Sequence, residues 1–367
     1  MIRLGIAGIG TIANDYIGLI QDGRVKDVHI TALSSRNPQN LDQAMARHGL
    51  AGVQGFTDYS AMLTSGLLDA VLICTPHQEH PGMARQALDH GLHILVEKPI
   101  GVDPADVRHL LDHLAEHPHL TGGVLYNRRQ ASAYQRIKQW MSEGAIGDLV
   151  RVTWLITNLY RTQAYYRTSP WRGTWAGEGG GLLMTQASHQ LDLLLWLCGL
   201  PDSVQAFCQT ADREIEVENE AVLFLQYPGK ARGQFIATAR ETPGSNRLEI
   251  AGTRGQIVIE NDSLVQVSIL SQDEREFARL ATGPFVQPAC THEEFVHHDH
   301  DNRVQQAATI QNFIDTIAGK ARIACSLADA ANSLGLIQAA YLSHWTGQQV
   351  PVPPPIHPFQ AELANHI

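Results

Sequence analysis

Short apolar runs alternate with longer amphipathic stretches through the first third of the chain. Each apolar run has the length of a buried strand, and each amphipathic stretch has the spacing of a helix. The apolar runs cover residues 2–7, 28–34, 68–74 and 92–96, and the helical stretches end near residue 21 and cover 41–48, 82–90 and 107–116. Strands that alternate with helices in this way predict a parallel, doubly wound sheet.

The pattern changes after residue 122, where strand-like runs follow one another with short turns between them. These runs cover residues 122–126, 149–159, 204–210, 217–226, 231–239, 247–251, 256–260 and 264–270. Successive strands joined by short turns form hairpins, which make an antiparallel sheet. Helical patterns at 131–143, 304–317 and 328–346 accompany it, and the Pro-rich end of the chain is expected to be extended.

The predicted fold class is therefore α/β, with a Rossmann domain followed by an α+β domain. We place the Rossmann domain at residues 1–122, the second domain with its large, mainly antiparallel sheet at 123–350, and the Pro-rich tail at 351–367.

The stretch from Gly179 to Gly199 combines three glycines with a predicted helix that begins at residue 182 and is stopped by Gly199. Thr185, His189 and Asp192 are spaced i, i+4 and i+7, so they share one face of that helix. The second half of the helix is apolar nearly all round, which predicts burial. Its polar groups therefore need partners.

Composition limits the kinds of partner and the cell compartment that are expected for this chain. With 367 residues the chain is long enough for two hydrophobic cores. A formal net charge of -10, without clustered Lys or Arg, argues against a nucleic-acid partner. No apolar run approaches the roughly 20 residues of a membrane helix, so no membrane association is expected. Five scattered cysteines, and a strand pattern that begins at the N-terminus, favour a reducing cytoplasm.

A glycine-rich turn, Gly8-Ile9-Gly10-Thr11-Ile12-Ala13, follows the first predicted strand. In dinucleotide-binding folds the first glycine permits the tight turn, the second lets a pyrophosphate approach, and the small third residue lets helix and strand pack. The N-terminus of the following helix then faces the phosphates. We expect Gly8, Gly10, Thr11 and Ile12 to bind the cofactor.

The end of the second strand bears on the choice between NAD(H) and NADP(H). It reads Ser34-Ser35-Arg36, and no carboxylate occurs from residue 28 to 41 to accept a ribose 2′-OH. Two hydroxyls and an arginine favour a 2′-phosphate, so NADP(H) is favoured and NAD(H) is possible. Alternatively, Arg36 lies over the adenine of either cofactor.

Two further loops leave the same edge of the predicted sheet, where ligands bind in such folds. The first contains Thr75 and Pro76, and the second is Glu97-Lys98-Pro99. The proline disfavours helical backbone at Lys98, so its amine is aimed across the cofactor crevice. The alternative for Glu97 and Lys98 is a solvated ion pair.

The segment 160–178 is rich in aromatic residues and arginines, including Tyr166, Arg172 and Trp175. Aromatic rings stack on sugar faces and guanidinium groups donate to hydroxyls, so this segment suits a polyhydroxylated substrate. The alternative is that the aromatics anchor the segment to the sheet. A histidine-rich stretch at 292–300 fits no zinc signature and is expected to be a loop, so we predict no metal site.

Together these motifs resemble the Gfo/Idh/MocA oxidoreductases, named for glucose-fructose oxidoreductase, inositol dehydrogenase and a rhizopine-catabolism protein. The resemblance covers nearly the whole chain. It rests on Gly8-x-Gly10-x-x-Ala13, Thr75-Pro76 with His80, Glu97-Lys98-Pro99, Asn127, and Gly179-Gly180-Gly181 with His189 and Asp192. It implies a second domain whose open sheet carries a substrate wall and often an oligomer interface, hence a homodimer or homotetramer. It also implies that a secondary alcohol of a sugar, inositol or related polyol is oxidised or reduced.

The resemblance also implies roles for individual residues. Thr75, Pro76, His80, Glu97, Lys98 and Asn127 are expected at the cofactor, beside the glycine turn. His189 and Asp192 are expected at the substrate. Thr185 stands where the family usually has Asp or Asn, and His77 replaces the usual Asn after Thr75-Pro76. A threonine hydroxyl can hydrogen-bond a substrate but cannot hold a negative charge.

Lys98 and His189 are the two titratable candidates for proton transfer, which accompanies hydride transfer at a carbinol. We assign proton transfer to His189, and binding of the reacting oxygen to Lys98. These two roles are interchangeable, and a structural, buried His189 is the alternative. Two rival functions are an NAD-dependent glycosidase acting by transient oxidation and a non-catalytic sensor of nucleotide or sugar.

Overall fold

The computed structural model describes residues 1–298 and 301–367, which form two compact units. Unit 1 comprises Met1–Gln130 and Asp301–Leu334, and unit 2 comprises Ala131–His300 and Gly335–Ile367. Unit 1 thus continues past the predicted boundary at residue 122 and regains a late segment of the chain, and the tail after residue 350 belongs to unit 2. No helix among the described residues is long and apolar enough to cross a membrane.

Unit 1 contains a six-stranded sheet in the order β3-β2-β1-β4-β5-β6, with every neighbouring pair parallel. The strands are β1 (Ile2–Ala7), β2 (Val28–Ser34), β3 (Gln54–Phe56), β4 (Ala70–Ile73), β5 (His93–Val96) and β6 (Gly122–Val124). This order confirms the doubly wound sheet. It places the topological switch point between β1 and β4, where open α/β sheets bind ligands.

The helices of unit 1 are amphipathic and cover the sheet. They are α1 (Thr11–Gln21), α2 (Pro38–His48), α3 (Tyr59–Leu63), α4 (His80–Asp89), α5 (Pro104–Ala115) and α12 (Asn302–Ile317). Helix α12 contributes Ile310, Phe313 and Ile314 to the same hydrophobic core as α1 and the strands. Burial of that apolar face explains why a segment near the end of the chain folds with unit 1.

Unit 2 contains a nine-stranded sheet in the order β14-β13-β12-β11-β7-β10-β9-β8-β15. The strands are β7 (Leu149–Ile156), β8 (Ser203–Gln209), β9 (Glu220–Gln226), β10 (Arg232–Thr238), β11 (Asn246–Gly252), β12 (Gly255–Glu260), β13 (Leu264–Leu270), β14 (Cys290–Val296) and β15 (Val350–Pro351). Only the pairing of β10 with β7 is parallel among these described strands. The mainly antiparallel sheet is therefore confirmed.

Several helices of unit 2 have only four residues. They are α6 (Ser132–Ser142), α7 (Gln163–Tyr166), α8 (Trp175–Glu178), α9 (Leu182–Thr185), α10 (Ser188–Cys198), α11 (Glu274–Leu280) and α14 (Ile356–Leu363). Helix α13 (Leu327–Thr346) begins in unit 1 and continues in unit 2 from Gly335.

The prediction for the histidine-rich stretch is wrong. The histidine-rich stretch is not a loop over its first part, because His292 and Glu294 lie in β14 and pair with β13. The ring of His292 bonds the Ser268 hydroxyl at 2.9 Å, and such cross-strand contacts replace the missing apolar alternation. Residues 299 and 300 lie outside the described residues.

The Pro-rich tail is extended only at its start. After the prolines the chain forms α14, for which Pro355 is the N-cap. Phe359 on this helix is buried and stacks on Trp345 with ring centroids 5.9 Å apart. Burial of this aromatic ring favours a helix that the prolines alone do not predict.

Candidate functional site

The glycine turn between β1 and α1 has the geometry that a dinucleotide requires. Gly8 has φ of +88°, and a Cβ there would lie 2.7 Å from the backbone of Cys74 and Thr75. Gly10 is the N-cap of α1 without a side-chain cap, and a Cβ there would meet nothing within 4 Å. The start of α1 therefore has no side-chain cap and has open space beside Gly10, as an anion site requires.

A groove of about 470 Å³ lies at this edge of unit 1. Its lining includes seven of the predicted cofactor residues: Gly8, Gly10, Ser34, Ser35, Arg36, Thr75 and Pro76. Sequence reasoning missed Asn40, Tyr59, Glu79, Met83 and Gln86, which also line it. Tyr59 had no usable signal because its short helix α3 was not predicted. Glu79 lies within the Thr75-to-His80 motif and could have been noticed.

The two serines and Arg36 differ in exposure. Ser34 and Ser35 are buried, and the Ser35 hydroxyl accepts a hydrogen bond from the Asn37 amide at 3.3 Å. Arg36 is exposed, and its Nη2 lies 3.1 Å from Oε1 of Glu79. A carboxylate from the loop after β4 therefore lies beside Arg36 in the groove.

His80 is fully buried and connects two loops of the cofactor edge. Its Nδ1 lies 2.8 Å from the Pro99 carbonyl oxygen, and its Nε2 lies 2.7 Å from the Thr75 carbonyl oxygen. Burial lowers the pKa of His80, while both carbonyl contacts oppose that shift. A neutral ring has one N–H, so it donates to one of the two carbonyls at a time.

Glu97 is held by two donors at the end of β5. It accepts hydrogen bonds from the Tyr16 hydroxyl and, at 2.9 Å, from the Lys98 amide. Burial raises the pKa of Glu97, and these contacts oppose the rise. The backbone amide of Lys98 is thus held by the partly buried side chain of Glu97.

Asn127 is buried within unit 1. Its amide donates to Oδ1 of Asn302 at 2.8 Å and to Oε1 of Gln305 at 3.3 Å. These partners belong to the segment that returns to unit 1 with α12. Of the remaining predicted cofactor residues, Thr11 is exposed at the start of α1 and Ile12 is partly buried.

The glycine block of unit 2 comprises residues 179–185. It is organised around Glu218, a buried carboxylate that precedes β9. Glu218 accepts hydrogen bonds from the amides of Gly181 and Leu183, at 2.9 and 2.8 Å, and from the Tyr341 hydroxyl at 2.9 Å. Burial raises the pKa of Glu218 to about 7, against the effect of these donors. A Cβ at Gly181 would lie 2.0 Å from the Glu218 carbonyl oxygen, so the glycine is required there.

The predicted single helix from residue 182 is wrong, because it divides into α9 and α10. The Leu182 carbonyl accepts from both Gln186 and Ala187, at 3.0 and 2.8 Å, and the second bond widens the turn and ends the regular helix. The Thr185 hydroxyl donates to the Gly181 carbonyl at 2.8 Å within α9. His189 is partly exposed and Asp192 is buried, both on α10. The i, i+4, i+7 argument therefore does not extend to Thr185.

Arg172 lies in a polar cluster beside this block. Its Nη1 donates to the Tyr165 hydroxyl at 2.7 Å and lies 3.4 Å from Oε1 of the buried Glu178. The amide of Gln186 donates to the same hydroxyl at 3.1 Å. Within the described part of the chain, Arg172 Nε and Gln186 Oε1 are buried and have no hydrogen-bond partner.

The predicted substrate aromatics are packed against protein. Trp175 is buried edge-on against Tyr341 and Trp345, with centroids 5.1 and 5.3 Å apart. Tyr166 is buried and meets Tyr165 edge-on at 5.1 Å. For both rings the structure matches the anchoring alternative. Across residues 1–298 and 301–367, no group of three or more His, Cys, Asp or Glu side chains is arranged to hold a metal ion.

Comparisons with known proteins agree with this architecture. Residues 2–122 match the profile of an oxidoreductase family with an NAD-binding Rossmann fold, and residues 134–258 match the GFO/IDH/MocA C-terminal domain. An inositol 2-dehydrogenase of Corynebacterium glutamicum is 28% identical over 200 residues, a match that covers 54% of each chain. The match thus spans about half the length of that relative. A trans-1,2-dihydrobenzene-1,2-diol dehydrogenase of Oryctolagus cuniculus is 25% identical over 68% of this chain and 73% of its own.

Solved structures extend the similarity over almost the whole chain. The WlbA dehydrogenase from Bordetella pertussis, solved in complex with NADH and UDP-GlcNAcA, has a TM-score of 0.78 at 27% identity. That match covers 96% of this chain and 99% of the other. The resemblance inferred from the motifs is confirmed: the chain belongs to the Gfo/Idh/MocA family of NAD-binding oxidoreductases.

Proposed function

We propose that this chain transfers a hydride between a nicotinamide dinucleotide and a secondary alcohol or ketone of a sugar, inositol or related polyol. The observation that carries the proposal is the groove at the switch point of the unit 1 sheet, which is lined by Gly8 and by Gly10, the N-cap of α1. The space beside Gly10 and the free amides fit a pyrophosphate. When bound, the nicotinamide supplies or accepts the hydride.

Side chains of the protein bind the reacting oxygen and transfer the proton. Lys98 binds and polarises the reacting oxygen, and His189 takes the hydroxyl proton in oxidation or returns it in reduction. Glu97 and His80 position the Lys98 backbone through their buried contacts with Tyr16 and with the loops after β4 and β5.

Cofactor choice belongs to the same proposal. Arg36 is the cation at the end of β2, and it supports a preference for NADP(H) because a guanidinium binds a phosphate in a bidentate manner. The dissociation constants of NADH and NADPH, measured on the purified chain, test this preference directly. A tighter complex with NADH would contradict it.

The cluster around Arg172 favours a neutral polyol over a sugar acid. Arg172 Nε offers a buried donor and Gln186 Oε1 a buried acceptor, and a hydroxyl can satisfy both kinds of group. Glu178 already opposes the charge of Arg172, so a substrate carboxylate gains little there. We therefore place the non-reacting hydroxyls of the substrate against Arg172 and Gln186, and the roles of Asp192, Tyr166 and Trp175 in substrate binding stay predictions.

Self-association is the expected state, as a homodimer or homotetramer. The exposed face of the unit 2 sheet carries Phe207 and Phe224, whose rings are 57% and 43% exposed and meet edge-on. Apolar rings on an open sheet face are typical of a surface that a second copy covers. Sedimentation analysis should show a dimer or tetramer, and Phe224→Asp should weaken it. A monomeric wild-type chain would contradict this expectation.

The test of the enzymatic proposal is a spectrophotometric screen of NAD+ and NADP+ against myo-inositol, levoglucosan and simple sugars, each beside its acid analogue. On the best substrate, Lys98→Ala and His189→Ala should each lower turnover by at least about 100-fold while cofactor affinity changes by less than about threefold. Lys320→Ala, at an exposed ion pair with Asp27, is the control. Near-wild-type turnover in both variants would contradict the roles. A tightly retained cofactor with glycoside cleavage and no net reduction would indicate the glycosidase instead.

A further inference from the structure

Arg36 and Glu79 form an ion pair on the wall of the unit 1 groove. The Nη2–Oε1 distance is 3.1 Å, and the side chains are 82% and 34% exposed. Both residues line the groove together with Gly8, Ser34 and Thr75. The pair therefore lies at the end of β2, where dinucleotide-binding folds recognise the ribose 2′ substituent.

The backbone on both sides of this pair is fixed. Asn37, next to Arg36, caps α2 by accepting from the Gln39 amide at 3.0 Å. The Glu79 amide donates to the Pro76 carbonyl at 2.9 Å. Its neighbour His80 is fully buried between two loop carbonyls. The two charged groups can therefore separate only by rotation about their side-chain bonds.

We propose that Glu79 limits the preference for NADP(H) that Arg36 creates, by competing with a 2′-phosphate for the guanidinium. A phosphate of about two negative charges must displace the carboxylate from the guanidinium and then lie beside it, and like charges at that range repel. The neutral 2′-OH of NAD(H) meets neither cost. Glu79 is thus a specificity-determining residue that opposes the preference that Arg36 alone would create.

This inference rests on the proposed nicotinamide cofactor, and equilibrium binding tests it without turnover. Dissociation constants of NADH and NADPH are measured by fluorescence or calorimetry for the wild type, Glu79→Gln, Arg36→Ala and the double variant. Asp112→Asn is the matched control, because it removes the same charge from an exposed Arg–Asp pair on α5, distant in sequence from the groove residues.

Glu79→Gln should strengthen NADPH binding by between about fivefold and fiftyfold and change NADH binding by less than about twofold. That gain should fall markedly in the Arg36→Ala background, because the guanidinium for which the groups compete is absent. Asp112→Asn should leave both constants unchanged.

Other outcomes overturn the inference in distinguishable ways. An unchanged NADPH-to-NADH ratio in Glu79→Gln, with both cofactors bound, would refute the role of Glu79 and leave the proposed function intact. Weaker NADH binding in that variant would mean that Glu79 contacts the ribose itself, which also refutes competition. A folded wild-type chain that binds neither cofactor would overturn the inference and the proposed function together.

Discussion

The cofactor edge of unit 1 and the glycine block of unit 2 both depend on glycines held against other atoms, but the origin of those atoms differs. Gly8 lies against the backbone of the adjacent strand end, at Cys74 and Thr75. Gly180 and Gly181 lie against the Tyr341 hydroxyl and the Glu218 carbonyl, from distant parts of the chain. The first arrangement joins the ends of two adjacent strands, β1 and β4, through backbone atoms alone. The second also involves a side-chain hydroxyl, that of Tyr341.

The two regions also bury a carboxylate in different settings. Glu97 is held by one hydroxyl and one adjacent amide, whereas Glu218 is held by two amides of the glycine block and one hydroxyl. Burial raises the pKa of both groups. The contribution of the glycine block to the free energy of unfolding thus depends on whether Glu218 is protonated.

Gly8→Ala should have the largest effect of the changes considered, because it disturbs the backbone packing of the cofactor edge. Its positive φ and the 2.7 Å approach of a Cβ to two backbone atoms together should cost about 4 kcal/mol of unfolding free energy. Chemical denaturation measures this loss. Cofactor affinity should fall at least about tenfold, because the displaced turn no longer positions the cofactor.

Gly10→Ala is the matched control for that change. Its Cβ would meet nothing within 4 Å, and its φ of −109° suits any residue, so stability should stay close to the wild type. Cofactor affinity should still fall, because the new methyl group occupies the space that the pyrophosphate needs. An equally large stability loss in both variants would contradict the distinction between packing and ligand space.

The pH dependence of stability should show the second-largest effect, through Glu218. A carboxyl whose folded pKa is raised from 4.5 to about 7 binds its proton more tightly in the folded state. The associated stability is fully present below pH 4.5 and is lost as pH rises to about 7, by about 3 kcal/mol. Glu218→Gln cannot ionise, so the difference in unfolding free energy between wild type and variant should change over this window.

The exposed Glu293→Gln supplies the matched charge control for that measurement. If the difference between wild type and Glu218→Gln were constant from pH 4.5 to 7.5, Glu218 would not titrate in this range. The organisation of the glycine block would then not depend on its protonation.

Tyr341→Phe should have a smaller effect, of about 1 to 2 kcal/mol, because it removes one of three donors to a buried carboxylate. The pKa of Glu218 should rise further when that donor is lost, so the pH window moves upward. Repeating the denaturation series in this variant measures both changes. An unmoved window would show that the hydroxyl does not stabilise the carboxylate.

The contrast also explains what the sequence could predict. The glycine turn, the alternation of strands and helices, and seven groove residues were accessible because each depends on neighbours in sequence. The break between α9 and α10 was not, since it occurs in a block held by Glu218 and Tyr341. The histidine-rich strand β14 was missed because its side chains are all exposed and give no alternation. Helix α12 was predicted as a helix, but nothing local shows which unit its apolar face covers.

Thr185→Val should have the smallest effect on stability, and it tests one of the two positions, with His77, where the resemblance predicts a departure from the usual family pattern. The partly exposed Thr185 donates its hydroxyl to the Gly181 carbonyl, so the loss of this bond should cost about 0.5 to 1 kcal/mol. If this local bond is its whole role, turnover on the best substrate should stay within about twofold and the pH profile should not move. A fall in kcat with unchanged KM would instead place Thr185 in the chemistry. The glycine block would then contribute a reacting group as well as a support for α10.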